Sequence, residues 1–232
     1  MSIRYFCGGK TVLPHSVVTD TAVRVEDGVI TAIIPACEVP ADADVIDLGE
    51  GYLLPGFVDI HVHGGGGADV MDATPDAMRQ MAKLHCAHGT TAMCPTTMTC
   101  PTEQLLRCID AYREVVEEGT GGADFIGLHL EGPYLSGGNT GAQPKGFFAT
   151  PTEEGLREIL DRAGGHIVRW DAAPELEGMD VFARMMRERG VLCSIAHSAA
   201  TAEETLEAYE KGFTHCKDIV GHHPRVGGGE GL

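Results

Sequence analysis

Apolar residues recur along this chain in two rhythms, and the change between them falls near Leu54. Before it, they come in short alternating runs of the kind that half-buried strands show. Val23-Arg24-Val25-Glu26 and Val29-Ile30-Thr31-Ala32-Ile33 flank Asp27-Gly28, a strong signal for a two-residue hairpin turn. Pro35, Pro40 and the stretch from Ala41 to Asp44 then interrupt the pattern before Val45-Ile46-Asp47-Leu48. The spacing predicts three or four short strands here. Strands this few cannot bury a core alone and need a partner sheet or the flank of a larger domain. The expected division is therefore residues 1–54 and residues 55–232.

From Leu54 onward the rhythm becomes strand, loop, helix. Phe57-Val58-Asp59-Ile60-His61-Val62-His63 reads as a strand running into the glycine loop Gly64 to Gly67. Thr74-Pro75-Asp76 supplies a cap, a proline at the first helical position and an acid at the positive helix end. That helix is expected to reach about His88 and stop at Gly89. Thr91 to Thr96 is the second strand, Gln104 to Glu118 the second helix and Phe125 to Glu131 the third strand. Thr150-Pro151-Thr152-Glu153 has the spacing of a capping box opening the third helix. His166 to Asp171, Val191 to His197 and Phe213 to Val220 read as strands four to six. Helices over Met179 to Arg189 and from the Thr201-Ala202-Glu203-Glu204 box to Gly212 lie between them.

Such alternation implies parallel pairing with right-handed crossovers, and in parallel α/β folds the site lies at the C-terminal strand ends. Residue alternation puts His61 and His63 on one face, about 7 Å apart. Two neutral imidazoles placed so can share a metal ion, although such a pair alone is more often two hydrogen-bonded histidines. Glu131 and His197 give it weight, because they fall at the ends of strands three and five. His129 shares a face with Glu131 and reads as an interior supporting histidine rather than a ligand. Asp59 either orients His61 or is a buried carboxylate with no direct role. The glycine loop reads as a turn, with phosphate contact as the alternative.

Composition narrows the partners. Seventeen Lys and Arg against 34 Asp and Glu give a formal charge of −17 over 232 residues. Nucleic acid and anionic membrane surfaces call for a basic footprint and are not expected partners. No apolar run approaches the ~18–20 residues needed to span a bilayer, and the first residues lack the layout of a signal peptide. The eight cysteines include no Cys-x-x-Cys pair, so reduced core thiols and a cytoplasmic location are expected.

Leu54-Pro55-Gly56-Phe57-Val58-Asp59-Ile60-His61-Val62-His63-Gly64 resembles the opening signature of the amidohydrolase superfamily. The likeness sharpens at His129-Leu130-Glu131-Gly132-Pro133-Tyr134-Leu135. It continues through Gly141-Ala142-Gln143, Ala173-Pro174-Glu175 and Ile195 to Thr201. Together these are similar to the N-acetylglucosamine-6-phosphate deacetylase family. The resemblance implies an α/β fold: a (β/α)8-type barrel, here incomplete with about six βα units, and a small N-terminal β-sandwich portion.

It further implies that Glu131 and His197 hold a catalytic divalent metal, zinc or iron, with His61 and His63 allowing a second ion. Ala142 and Gln143 would contact an amino-sugar phosphate. In the family's later His-x-x-His run, His215 matches the first histidine, while the metal-binding histidine falls on Asp218, whose carboxylate suits zinc or iron. The family's Asn-Ala-Met segment, strands seven and eight and the catalytic aspartate have no counterpart in these residues. Negligible turnover by the 232 residues alone is the resulting expectation. A non-catalytic relative that keeps the metal or sugar-phosphate site is the alternative, and dihydroorotase-like or dipeptidase-like hydrolases are the nearest competing enzymes. Open apolar strand edges predict a homodimer or larger association.

Overall fold

The computed structural model describes residues 2–138 and 140–217. The chain divides into two compact units between Gly56 and Phe57.

The first unit is all β, with more strands than the alternation predicted. They are β1 (Ile3–Cys7), β2 (Lys10–Leu13), β3 (Ser16–Val18), β4 (Thr21–Glu26), β5 (Val29–Pro35), β6 (Asp44–Asp47) and β7 (Tyr52–Leu53). One sheet has the order β5-β4-β1-β6 and the other β3-β2-β7. The strands missed by the pattern are short and interrupted by glycines and polar residues, so no run is long enough to show a period. The hairpin signal holds: Asp27 and Gly28 both have positive φ, 46° and 83°, as a tight turn matched to strand twist requires.

The second unit is a curled parallel sheet with helices between its strands. Its strands are β8 (Phe57–Val62), β11 (Thr90–Thr97), β12 (Asp124–Phe125), β13 (Leu128–Glu131), β14 (Ile167–Ala172), β15 (Leu192–Ile195) and β16 (Phe213–Cys216). A small ribbon of β9 (Gly64–Gly65) and β10 (Ala68–Asp69) follows β8. The helices are α1 (Pro75–Ala87), α2 (Thr102–Glu118), α3 (Glu153–Ala163), α4 (Met179–Arg189) and α5 (Ala202–Lys211). The pairing follows the chain: β8 pairs with β11, β11 with both β12 and β13, and then β14, β15 and β16 follow in turn, all parallel. This is an incomplete (β/α)8-type barrel of about six units.

Two local expectations need correction. The third strand is not continuous: Ile126 and Gly127 separate β12 from β13. Gly127 has φ 152°, and a Cβ there would lie 2.2 Å from Val168 Cγ1, so the chain passes too close to β14 for any side chain. The third helix is capped by Thr152, whose hydroxyl accepts from the Gly155 amide, and not by a box starting at Thr150. The Thr201–Glu204 box is present as expected.

The core fills the space between helices and sheet. Trp170 on β14 is fully buried, stacks on Tyr134 at 5.5 Å and meets Phe182 of α4 edge-on at 5.5 Å. Its indole N–H donates to the Gly132 carbonyl at 2.8 Å, which ties the core to the residue following Glu131.

Candidate metal centre

The candidate residues gather where the sequence places them, at the C-terminal ends of the strands. On β8, His61 and the residue just beyond it, His63, bring their Nε2 atoms to 3.2 Å. The turn that aims them is fixed by β11: Thr96 Oγ1 accepts from the Val62 amide at 3.0 Å, and His63 Nδ1 lies 3.0 Å from the Thr96 carbonyl. The second contact fits a proton on His63 Nδ1, so that Nε2 faces the cluster, as a donor when the ring is protonated and as a lone pair when it is neutral. Asp59 accepts from the His61 backbone amide at 3.1 Å, a role in shaping the strand end.

Glu131, the last residue of β13, is the centre of the group and is almost wholly buried. His63 Nε2 is 3.0 Å from Oε2, His61 Nε2 3.7 Å from Oε2 and His197 Nε2 2.8 Å from Oε1. Lys217 Nζ also donates to Oε1. Burial alone would raise this carboxyl, but hydrogen bonds from His197, His63 and Lys217 outweigh it and hold it far below the usual carboxylate range. Burial, reinforced by the Lys217 ammonium, pushes His61 down to about 4. The bond to Glu131 raises His63 against the effect of burial.

His197 sits beyond β15 with φ 46°, a left-handed conformation rare for a side-chain-bearing residue. Its surroundings impose it. The His197 carbonyl accepts from the Ser136 amide at 2.9 Å, and Glu175 clamps the next residues by accepting from Ser198 Oγ at 2.7 Å and the Ala199 amide at 2.6 Å.

A second layer lies deeper. His129 Nδ1 is 3.2 Å from both His61 Nδ1 and Thr96 Oγ1, and His129 Nε2 is 3.0 Å from Asp171 Oδ1, short of hydrogen-bond alignment. Arg169 donates to Asp171 Oδ1 at 2.9 Å and to Ser194 Oγ at 2.9 Å. Burial lowers His129; at Asp171 burial is outweighed by His129, Arg169 and Lys217, and the net direction is down. His129 thus reaches His61 and Thr96 from the buried side of the cluster.

Two sets of ligand atoms lie within 4.8 Å of one another: His61, His63 and Glu131, and His61, His129 and Asp171. Imidazole nitrogens with a carboxylate form a donor set that suits zinc and similar ions. The residues present therefore fit a divalent metal, and the Lys217 ammonium already lies among them.

Of the residues named from sequence, Glu131, His197, His61 and His63 are brought together. His215 is not: it is exposed on β16, with Nδ1 2.9 Å from Thr214 Oγ1. Asp218 lies outside the described residues. Gln143 is buried and its Oε1 accepts from the Thr99 amide at 2.8 Å, whereas Ala142 is exposed. Their segment borders the cluster, since a Cβ on Gly141 would lie 3.2 Å from His197 Cε1. Asp171 and Lys217 were not named from sequence. Asp171 ends a predicted strand, the one signal that marked it, and Lys217 stands among residues that depart from the family pattern.

A profile of the amidohydrolase family matches residues 52–224. The N-acetylglucosamine-6-phosphate deacetylase of Vibrio furnissii is 33% identical over 219 residues, covering 92% of this chain and 55% of that protein. The N-acetylgalactosamine-6-phosphate deacetylase of Escherichia coli O157:H7 is 34% identical over 222 residues, with 92% and 57% covered. The crystal structure of the N-acetylglucosamine-6-phosphate deacetylase from Pasteurella multocida superposes with a TM-score of 0.85 at 28% identity, over 92% of this chain and 56% of that one. The chain thus spans about half the length of the relatives it matches.

Proposed function

The chain belongs to the amidohydrolase family, and from that footing we propose that its protein hydrolyses N-acetylglucosamine 6-phosphate to glucosamine 6-phosphate and acetate. The observation that carries this reading is the convergence of Glu131, His197, His61 and His63 at adjoining strand ends, in a chain about one-third identical to amino-sugar-phosphate deacetylases.

Glu131 and His197 would hold a divalent ion, zinc or iron, with His61 and His63 available to it or to a second ion. A bound ion of this kind supplies Lewis acidity towards an amide carbonyl and towards water at neutral pH. The chain's own residues prepare that site. Glu131 stays ionised, because three donors face it. The Thr96 carbonyl orients His63, and the Glu175 clamp fixes the backbone beside His197. Ala142 and Gln143 would meet the sugar phosphate, a placement supported by the approach of Gly141 to the His197 ring. Self-association and a cytoplasmic location complete the reading. Its support is an apolar edge on β8, eight cysteines without a disulfide and no described helix long and apolar enough to cross a membrane.

Both described carboxylates of the cluster are engaged, Glu131 by His197, His63 and Lys217 and Asp171 by Arg169. The remaining oxygen, Asp171 Oδ2, is deeply buried beneath the cluster. No described carboxylate is therefore placed as a proton shuttle, whose loss typically costs ~10²–10⁴-fold, and negligible turnover by the 232 residues alone is expected. The test is acetate release by metal-loaded protein made from its complete gene, beside the Glu131→Ala variant. Release at ~1–10³ per second, abolished by the substitution, is the expected result. No release by either protein would overturn the reading. A second reading, preference for the galactosamine epimer, rests on the Escherichia coli relative, and faster release from that substrate in the same assay would favour it.

A further inference from the structure

The ammonium of Lys217 occupies a position that no motif of the sequence called for. It follows β16 directly, and its side chain is about one-fifth exposed. Nζ donates to Glu131 Oε1, lies 3.2 Å from His61 Nε2 and stands 4.0 Å from Asp171 Oδ2. These three atoms have one property in common: each presents a lone pair or a negative charge. Asp171 Oδ2 is deeply buried and has no hydrogen-bond partner among the described residues. His61 belongs to both groups of convergent ligand atoms, and Glu131 and Asp171 each belong to one. The ammonium therefore stands where the two groups meet.

A lysine ammonium carries three donors and no acceptor, on a flexible four-carbon stem. Facing Glu131 and His61, it satisfies the same lone pairs that a divalent ion would use. Coordination through Glu131 Oε1 and His61 Nε2 competes with the Lys217 contact, because both draw on the same atoms and would set like charges within a few ångströms. We propose that Lys217 is a resident internal cation: it holds the metal-free site together and must withdraw from Glu131 and His61 before a divalent ion binds there. The inference rests on the metal reading above and adds to it a competitor encoded in the chain itself. The partial exposure of the side chain gives it somewhere to go.

The experiment is zinc affinity, measured by competition with a chromophoric chelator on the 232-residue chain, for wild type, Lys217→Met and Lys217→Arg. Circular dichroism of each metal-free protein checks that the helices are formed. Lys217→Met keeps the length of the stem but removes the charge, and is expected to bind zinc at least ~10-fold more tightly, about 1.4 kcal/mol. Lys217→Arg keeps the charge and is expected to stay within a few-fold of wild type. Should Lys217→Met need zinc to fold, release from the zinc-loaded proteins to excess chelator makes the same comparison, with slower release expected from the variant. Equal or weaker zinc binding by Lys217→Met overturns this inference and leaves the metal reading standing. No zinc binding by any of the three overturns both.

Discussion

Trp170→Phe is the substitution through which core packing and the candidate metal centre are most directly linked. Trp170 is fully buried, and its indole N–H is the donor to the Gly132 carbonyl, one residue past Glu131. Phenylalanine keeps an aromatic ring against Tyr134 and Phe182 but removes that donor. Leaving a buried carbonyl unsatisfied costs ~1–3 kcal/mol, and the void beside the smaller ring costs ~1 kcal/mol more. The sum is about 2–4 kcal/mol, which for a protein of this size lowers Tm by roughly 4–16 °C. Every α-helix among the described residues lies in the second unit. Urea unfolding followed by far-ultraviolet circular dichroism therefore reports that unit. Because Gly132 adjoins Glu131, zinc affinity is expected to fall as well, by ~10–100-fold, the range usual for groups that hold metal ligands in place. A variant within ~0.5 kcal/mol of wild type would show that the indole bond does not secure the end of β13.

Gly127→Ala is expected to cost ~3 kcal/mol or more, because the new Cβ meets Val168 at φ 152°. Adding Val168→Ala should recover part of that loss, and a thermal melt showing no recovery would refute the close approach as its cause. Phe57, Val58 and Ile60 on β8 are 60%, 58% and 56% exposed, and among the described residues β8 pairs only with β11. Light scattering should therefore show a dimer or larger species, shifted towards monomer by Ile60→Lys, and a monodisperse wild-type monomer would contradict this. Burial raises the thiols of Cys100 to about 11 and of Cys108 and Cys193 to about 12. At pH ~8 the native protein should then react with a thiol reagent at exposed Cys37 and Cys86, and at these three only once unfolded, since the thiolate is the reacting form. Equal rates at all five would refute the burial.

The second unit was readable because its signals are local and strong. Thr74-Pro75 opens α1, the Thr201–Glu204 box opens α5 and glycines close the helices, each through backbone groups only a few residues apart. The histidine pair and Glu131 were readable for a different reason, since strand ends in a parallel sheet converge whatever the side chains are. What escaped depended on contacts distant in sequence. The break at Gly127 exists because β14 lies against it, and nothing near Gly127 announces Val168. Asp171 comes to the cluster only because β14 lies beside β13, which sets it 3.0 Å from His129. Lys217 is a lysine among polar residues until the sheet carries it to Glu131. In the first unit, Ile3–Cys7 is an interior strand, paired on one side with β4 and on the other with β6, yet Tyr5, Phe6 and Cys7 follow one another without the alternation that marks a strand.

Metal content decides most directly whether the convergence of these strand ends is a metal centre. The protein, purified without chelator, is measured by elemental analysis beside its Glu131→Ala and His197→Ala variants. Glu131 supplies both of its carboxylate oxygens to the cluster, and His197 lies 2.8 Å from one of them, so removing either is expected to empty the site. About one divalent ion per wild-type chain, falling to near zero in both variants while their circular dichroism is unchanged, is the predicted result. Equal metal content in all three proteins would contradict it.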